Sequence, residues 1–173
     1  VAPSAIKIEG GNGVQDAEGA EQEHEMPREL TMEECEAIVN DYQRAANLAK
    51  EAGFDGIEIH CATGYLIDTF LQSCSNKRTD KYGGDCEGRF TFLNEILQKV
   101  CEVFPNRVGV KVSPDSGFNG MGSSDNHEMF LHVAKRLNDF DVAYLHVMDG
   151  IGPEANMKWW GKMTSNGFHG LCE

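Results

Sequence analysis

Apolar residues return along this chain with two different periods, and the switching between them carries most of the information. From Thr31 the helical period begins: Cys35, Ile38, Tyr42, Ala45 and Ala49 share one face, the spacing of an amphipathic helix. Thr31 with Glu34 has the form of a capping box and Gly53 supplies a stop, so a helix is predicted near residues 32–52. A second helical face, Phe90, Leu93, Ile96, Leu97 and Val100, predicts a helix over about 87–103. A third starts at Asp125, with Glu128 as its capping partner, and continues through Phe130, Val133, Ala134 and Leu137. Short stretches of period two separate them: Gly56 to His60, Arg107 to Ser113 (closed by Pro114), and Val142 to Met148. Residues 9–25, rich in Gly and Glu, have no period and are expected to form a flexible acidic loop. The stretch with Asp80, Gly83 and Gly84 reads as irregular. After Asp149 the pattern dissolves into a Gly-rich tail holding Trp159 and Trp160.

Helices and strands that take turns imply a parallel sheet built by right-handed crossovers. Strands of a doubly wound sheet are buried on both faces and read as continuous apolar runs. These alternate instead. Ile57 and Ile59 oppose Glu58 and His60; Val108, Val110 and Val112 oppose Gly109, Lys111 and Ser113; Leu145 and Val147 oppose Tyr144, His146 and Met148. An apolar face suits a layer of helices, and a face of Glu, His and Lys suits the inside of a barrel. The predicted class is α/β: a partial TIM (β/α) barrel of about three parallel strands with helices on one face. So few strands do not close such a barrel. Residues 1–173 therefore read as the central, incomplete part of one, with missing barrel segments implied as its partners; a start at Val1 agrees with a chain begun inside a longer one.

Composition narrows the partners. The 173 residues suffice for one domain. Fifteen basic against 28 acidic residues leave a formal net charge of -13, which repels phosphate backbones and anionic lipid, so no nucleic acid and no membrane is expected as a partner. The six cysteines lack CxxC or zinc-type spacing and read as free thiols of a reducing compartment. With no signal-peptide layout and no apolar run of spanning length, a cytoplasmic protein is the expectation.

Reactive groups of such barrels sit at the C-terminal ends of strands and on the loops that follow. His60, Lys111 and His146 lie there. His146 alone reads as an interior polar residue satisfied by its neighbours. His60 is different, because His60-Cys61-Ala62-Thr63-Gly64-Tyr65-Leu66 puts an imidazole, a hydroxyl and a phenol on one tight turn. A neutral imidazole and a hydroxyl can donate hydrogen bonds to a carbonyl oxygen, and a phenol can deliver a proton to a carbanion-like centre. The set suits reactions in which negative charge grows on a carbonyl oxygen. Cys61 reads as inert.

In these residues the chain resembles the old yellow enzyme family. Gly53-Phe54-Asp55-Gly56-Ile57-Glu58-Ile59-His60 with Ala62 and Gly64-Tyr65-Leu66 is similar to the family's active-site strand and turn. Leu71, Asn76, Arg78-Thr79-Asp80, Tyr82-Gly83-Gly84, Glu87 and Arg89-Phe90 resemble its next loop and helix, and Arg107 to Pro114 with Phe118-Asn119 its next strand. Val1 to Ile6, Pro27 to Thr31 and Gly167-Phe168-His169 with Glu173 extend the likeness to nearly the whole chain. The resemblance implies an FMN-dependent ene-reductase that uses NADPH or NADH to reduce the C=C bond of α,β-unsaturated carbonyl compounds, small-molecule enones. It implies that His60 binds the substrate carbonyl oxygen beside the flavin, and that Tyr65 is the proton donor. Thr63 stands where the family has Asn or a second His, as a shorter second donor. Lys111 stands where an Arg usually meets the flavin, keeping the charge without the planar fork. Arg78 to Gly84 reads as a loop lock. As the family's other flavin contacts come from strands outside this chain, the 173 residues alone are expected to be inactive. Two further readings stay open: a non-catalytic barrel remnant without flavin, and a metal-dependent barrel hydrolase using Glu58, His60, Lys111 and His146. The second lacks an HxH pair, and no metal site is expected.

Overall fold

The computed structural model describes residues 1–8, 14–148 and 171–172. In chain order the elements are β1 (Val14–Gln15), β2 (Glu21–Gln22), α1 (Met32–Glu51), β3 (Ile57–Cys61), α2 (Leu66–Leu71), α3 (Cys86–Val103), β4 (Val108–Val112), α4 (Asn126–Arg136), β5 (Tyr144–Val147) and β6 (Leu171–Cys172). Strands β3, β4, β5 and β6 form one parallel sheet in sequence order. The two-residue β6 is a fourth strand beyond the three that alternation predicts; two residues are too few to show a period.

The alternation lands where it should. Ile59, Cys61, Val108, Val110, Val112, Leu145 and Val147 share one buried core with Phe90, Leu93, Ile96 and Leu97 of α3, Met129, Phe130 and Val133 of α4, and Cys35, Val39 and Ala46 of α1. The described helices thus cover one face of the sheet, and the polar positions of each strand turn to the other. The sheet is an arc with an inside. Helix α1 begins with the predicted capping box: Thr31 Oγ1 accepts from Glu34 N–H, and the Glu34 carboxylate accepts from Thr31 N–H. No helix among the described residues is long and apolar enough to cross a membrane.

Three expectations change. Residues 14–15 and 21–22, inside the stretch read as a loop, pair in a short antiparallel ladder. Asp16 makes it possible, accepting from Glu18 N–H and Ala20 N–H across the turn. Helix α2 falls where the periodicity predicts none. Ile67, Asp68, Phe70 and Leu71 are all buried, so six residues show no polar face from which a period could be read. At the start of α4, Asp125 is the N-cap residue but its side chain caps nothing. Its carboxylate accepts instead from Ser73 Oγ (2.6 Å) and from Arg89 Nη2 (2.7 Å), tying the loop after α2 to α3 and α4.

The Arg78–Gly84 segment is a lock in the literal sense. The guanidinium of Arg78, 3% exposed, donates to the carbonyls of Pro3 and Leu30 and to both carboxylate oxygens of Asp80. Asn76 Nδ2 donates to the carbonyls of Phe70 and Tyr82, and Tyr82 closes the segment by donating to Glu95 (2.8 Å). The chain entering α1 is thereby fixed against the loop leaving α2. Trp159, Trp160 and Gly167-Phe168-His169 with Glu173 lie outside the described residues.

Candidate active site

Strand β3 delivers the site. Its register sets two polar rows across the inside of the arc: Glu58, Gly109 and Tyr144, and one step closer to the C-terminal ends His60, Lys111 and His146. In the deeper row Glu58 accepts from the Tyr144 hydroxyl (3.1 Å) and from His146 Nδ1 (3.0 Å). Tyr144 reaches Glu58 by leaning over β4, which is possible because position 109 has no side chain. A Cβ on Gly109 would stand 2.1 Å from the Tyr144 ring. His146 is thus a satisfied interior residue, in agreement with its reading as such.

Beyond Cys61 the chain turns sharply. Thr63 and Gly64 both have left-handed backbone, with φ of 55° and 74°. Glycine adopts this freely; a β-branched threonine does so at a cost. Three contacts hold the turn. Ser113 Oγ accepts from Thr63 N–H (2.7 Å), Asn119 Nδ2 donates to the Thr63 carbonyl (2.9 Å), and the Asp68 carboxylate accepts from Gly64 N–H (2.8 Å). Gly64 has no room for a larger residue, since a Cβ there would come within 2.6 Å of Asn119.

The turn brings three of the expected residues together. The rings of His60 and Tyr65 lie 5.2 Å apart between centroids, tilted by 47°. The Thr63 hydroxyl is 3.5 Å from His60 Nε2. Thr63 is buried at 7% exposure, whereas Tyr65 is 55% exposed and presents its ring to solvent. Burial and then the Lys111 ammonium hold the His60 pKa below the usual imidazole value, against an opposing pull from Glu58. His60 is therefore neutral at neutral pH, able to donate one N–H without carrying a charge. Among the described residues the Lys111 ammonium forms no hydrogen bond or ion pair. Burial pushes the Cys61 thiol well up, which keeps it unreactive. A cavity of about 630 Å3 adjoins the turn, lined by Tyr65, Leu66 and Met121 together with Ala2, Ile6 and His24.

Among the described residues no three His, Cys, Asp or Glu side chains gather as a metal ion would need. Sequence reasoning did not single out Asp68, Ser113 or the Tyr144–Glu58 contact. Ser113 and Asn119 stand in segments that carried the resemblance, but their part in holding Thr63 becomes visible only once β3 and β4 lie side by side.

A family model described as NADH:flavin oxidoreductase / NADH oxidase matches residues 5–161. The chain belongs to this family. Among old yellow enzyme relatives it is 39% identical over 172 residues to a "Probable flavin mononucleotide-dependent alkene reductase" of Leishmania infantum, covering 96% of this chain and 47% of that protein. To 12-oxophytodienoate reductase 2 of Arabidopsis thaliana it is 40% identical over 140 residues, covering 80% of this chain and 36% of the other. The structure of morphinone reductase in complex with tetrahydroNAD superposes with a TM-score of 0.88 at 35% identity, over 99% of this chain and 47% of that one. The parallel arc is accordingly part of the old yellow enzyme TIM barrel. The chain spans less than half the length of each of these relatives.

Proposed function

We propose that the complete barrel to which this chain contributes is an FMN-dependent NAD(P)H oxidoreductase that reduces the C=C bond of α,β-unsaturated carbonyl compounds. The observation that carries this reading is the convergence of His60, Thr63 and Tyr65 on one turn, a neutral imidazole and a hydroxyl 3.5 Å apart with a solvent-reaching phenol beside them. Relatives bearing the names alkene reductase and 12-oxophytodienoate reductase support the same chemistry.

The donor set fits FMN. Lys111 offers a cation with no partner among the described residues, in register with His60 on the concave side, and such a charge suits the electron-rich edge of a reduced heterocycle. Bound there, beside Lys111 and His60, FMN would supply the two-electron hydride chemistry that links a nicotinamide to the alkene. The protein's own steps are these. His60 donates an N–H to the substrate carbonyl oxygen and Thr63 supplies the second donor, so charge growing on that oxygen is met by fixed dipoles. Tyr65 gives its hydroxyl proton to the α-carbon, completing addition of hydrogen across the double bond, and recovers a proton from solvent at its exposed end. The far part of an enone extends into the cavity beside Tyr65.

Two expectations test this reading. The chain alone has an open-sided site and binds FMN weakly, without turnover. Titration of FMN into the purified 173 residues, followed by flavin fluorescence, is expected to show no tight complex; a stoichiometric yellow complex overturns the division of labour between this chain and the rest of the barrel. The second concerns Thr63, which is both a short donor and a β-branched residue with φ of 55°. Asparagine tolerates that backbone and reaches further. In the complete barrel, Thr63→Asn is expected to tighten phenol ligands and raise enone turnover by about tenfold, the effect of roughly one improved charge-assisted hydrogen bond. Equal ligand affinity in both proteins, with flavin bound equally, would mean that Thr63 only packs in the turn.

A further inference from the structure

The site described so far leaves one buried ionisable group without a role. Asp68 is fully buried on α2, three residues after Tyr65. Its Oδ2 accepts from Gly64 N–H (2.8 Å) and its Oδ1 from Gln72 Nε2 (3.0 Å). Gln72 is fully buried too, and the direction of its amide is fixed from the far side. Its Oε1 accepts from Gly122 N–H (3.0 Å) and Ser123 N–H (3.3 Å), in the loop between β4 and α4. The amide cannot turn over without pointing its NH2 at those two donors. Asp68 must therefore accept on both oxygens at once, which a carboxylate does fully, a protonated carboxyl only weakly on its hydroxyl oxygen, and an amide not at all on its nitrogen.

We infer that Asp68 is a positioning residue: its ionised carboxylate, relayed through Gln72, clamps the Thr63-Gly64-Tyr65 turn to the 118–123 loop and so sets the donors that face the substrate. This rests on the reductase reading of the same turn. The loop is the one whose Asn119 holds the Thr63 carbonyl, so the clamp joins both sides of the turn into one frame. A turn with two consecutive left-handed residues requires such a frame.

The clamp gives the turn a pH response. Burial pushes the Asp68 carboxyl up to about 6, against the Gln72 and Gly64 donors that pull it down. The ionisable group behind it on β3 is the Cys61 thiol, kept neutral by burial. On β3, Glu58 and His60 point to the opposite face of the sheet. Of the other charged groups on neighbouring segments, Arg89 of α3 and Asp125 ahead of α4 are joined to each other at 2.7 Å, and Lys81 is joined to Glu95 of α3 at 2.9 Å. Below about pH 6 the carboxyl takes up a proton. The neutral carboxyl stays buried, since burial itself favours that form, but it is the weaker acceptor, so its hydrogen bonds to Gly64 and Gln72 weaken and the donors of the turn are held less firmly.

The test transposes the charge. In the complete barrel, Asp68→Asn, which keeps the shape, is expected to slow the enone half-reaction about ten- to a hundredfold, the scale of a small misplacement of reacting groups, and to leave flavin reduction by NADPH unchanged. Adding Gln72→Glu gives the amide NH2 introduced at position 68 an acceptor while still serving Gly122 and Ser123, so the double variant is expected to recover most of the rate. The enone half-reaction of the wild type loses rate through a group titrating near pH 6; Asp68→Asn lacks that group and keeps only the response of His60, which both proteins share. Equal rates in Asp68→Asn and wild type, or a double variant no better than the single one, overturn the clamp. A readout free of turnover separates this from the functional reading: the Gly64 amide and Gln72 side-chain amide resonances, the two groups bonded to Asp68, should carry a titration near pH 6 in the wild type that is lost in Asp68→Asn. Absence of that titration from the wild type refutes the clamp. Its presence with no enone reduced by any variant supports the clamp and refutes the reductase reading.

Discussion

In the complete barrel, replacing Tyr65 with Phe is expected to slow oxidation of the reduced enzyme by an enone about 10²- to 10⁴-fold, the range of a lost general acid, while reduction of the flavin by nicotinamide proceeds at nearly the wild-type rate. The asymmetry follows from what each half-reaction needs. Hydride transfer from nicotinamide moves no proton onto carbon, whereas saturation of the alkene adds one at the α-carbon. Tyr65 is suited to that delivery, with its ring 5.2 Å from that of His60 and more than half of its surface open to solvent for reprotonation. Phe keeps the ring, its packing on His60 and the wall of the cavity, so only the hydroxyl is removed. Stopped-flow measurement of the two half-reactions separates them. Equal slowing of both would point to damage in the turn, and an unchanged enone half-reaction would assign the proton to another donor.

Replacing Arg78 with Ala is expected to destabilise the chain by about 2–3 kcal/mol in urea denaturation, the scale of buried acceptors left unsatisfied. The guanidinium is 3% exposed and holds Asp80 together with the carbonyls of Pro3 and Leu30. Alanine leaves the carbonyls of Pro3 and Leu30 unpaired on buried residues, while Asp80, 27% exposed, can turn to water. The Arg78–Glu29 contact, at 3.5 Å with Glu29 half exposed, contributes little to this figure because solvent screens it. A loss below about 1 kcal/mol, the scale of a surface ion pair, would show that the segment entering α1 is held by other means. Arg78→Lys should restore only part of the loss, since an ammonium cannot span Asp80 and two carbonyls in one plane.

What could be read in advance depended on how local its cause is. The capping box at Thr31 and the face through Phe90, Leu93 and Ile96 involve neighbours on one helix, and both appear as expected. The alternation of β3, β4 and β5 is equally local and exposed the inside of the arc. Asp125 shows the limit of such reasoning. It has the right residue three places before Glu128, yet its carboxylate is drawn to Ser73 and Arg89, more than thirty residues away in sequence. Helix α2 was invisible for the opposite reason, because four of its six residues are buried, Asp68 among them, and no polar stripe remains. At the candidate site, the proximity of His60, Thr63 and Tyr65 could be read from a single turn. The parts played by Ser113, Asn119 and Gln72 could not, since each comes from a distant segment that meets the turn only after the strands pair.

The bare position at Gly109 has a consequence for the depth of the barrel. Tyr144 lies across it with the end of its ring almost in contact with the β4 backbone, so one side chain floors the width of three strands and is pinned at Glu58. A residue with a side chain on β4 would have forced that ring upright, as a pillar in the lumen. Laid flat, it works as a low shelf one row beneath His60, Lys111 and His146.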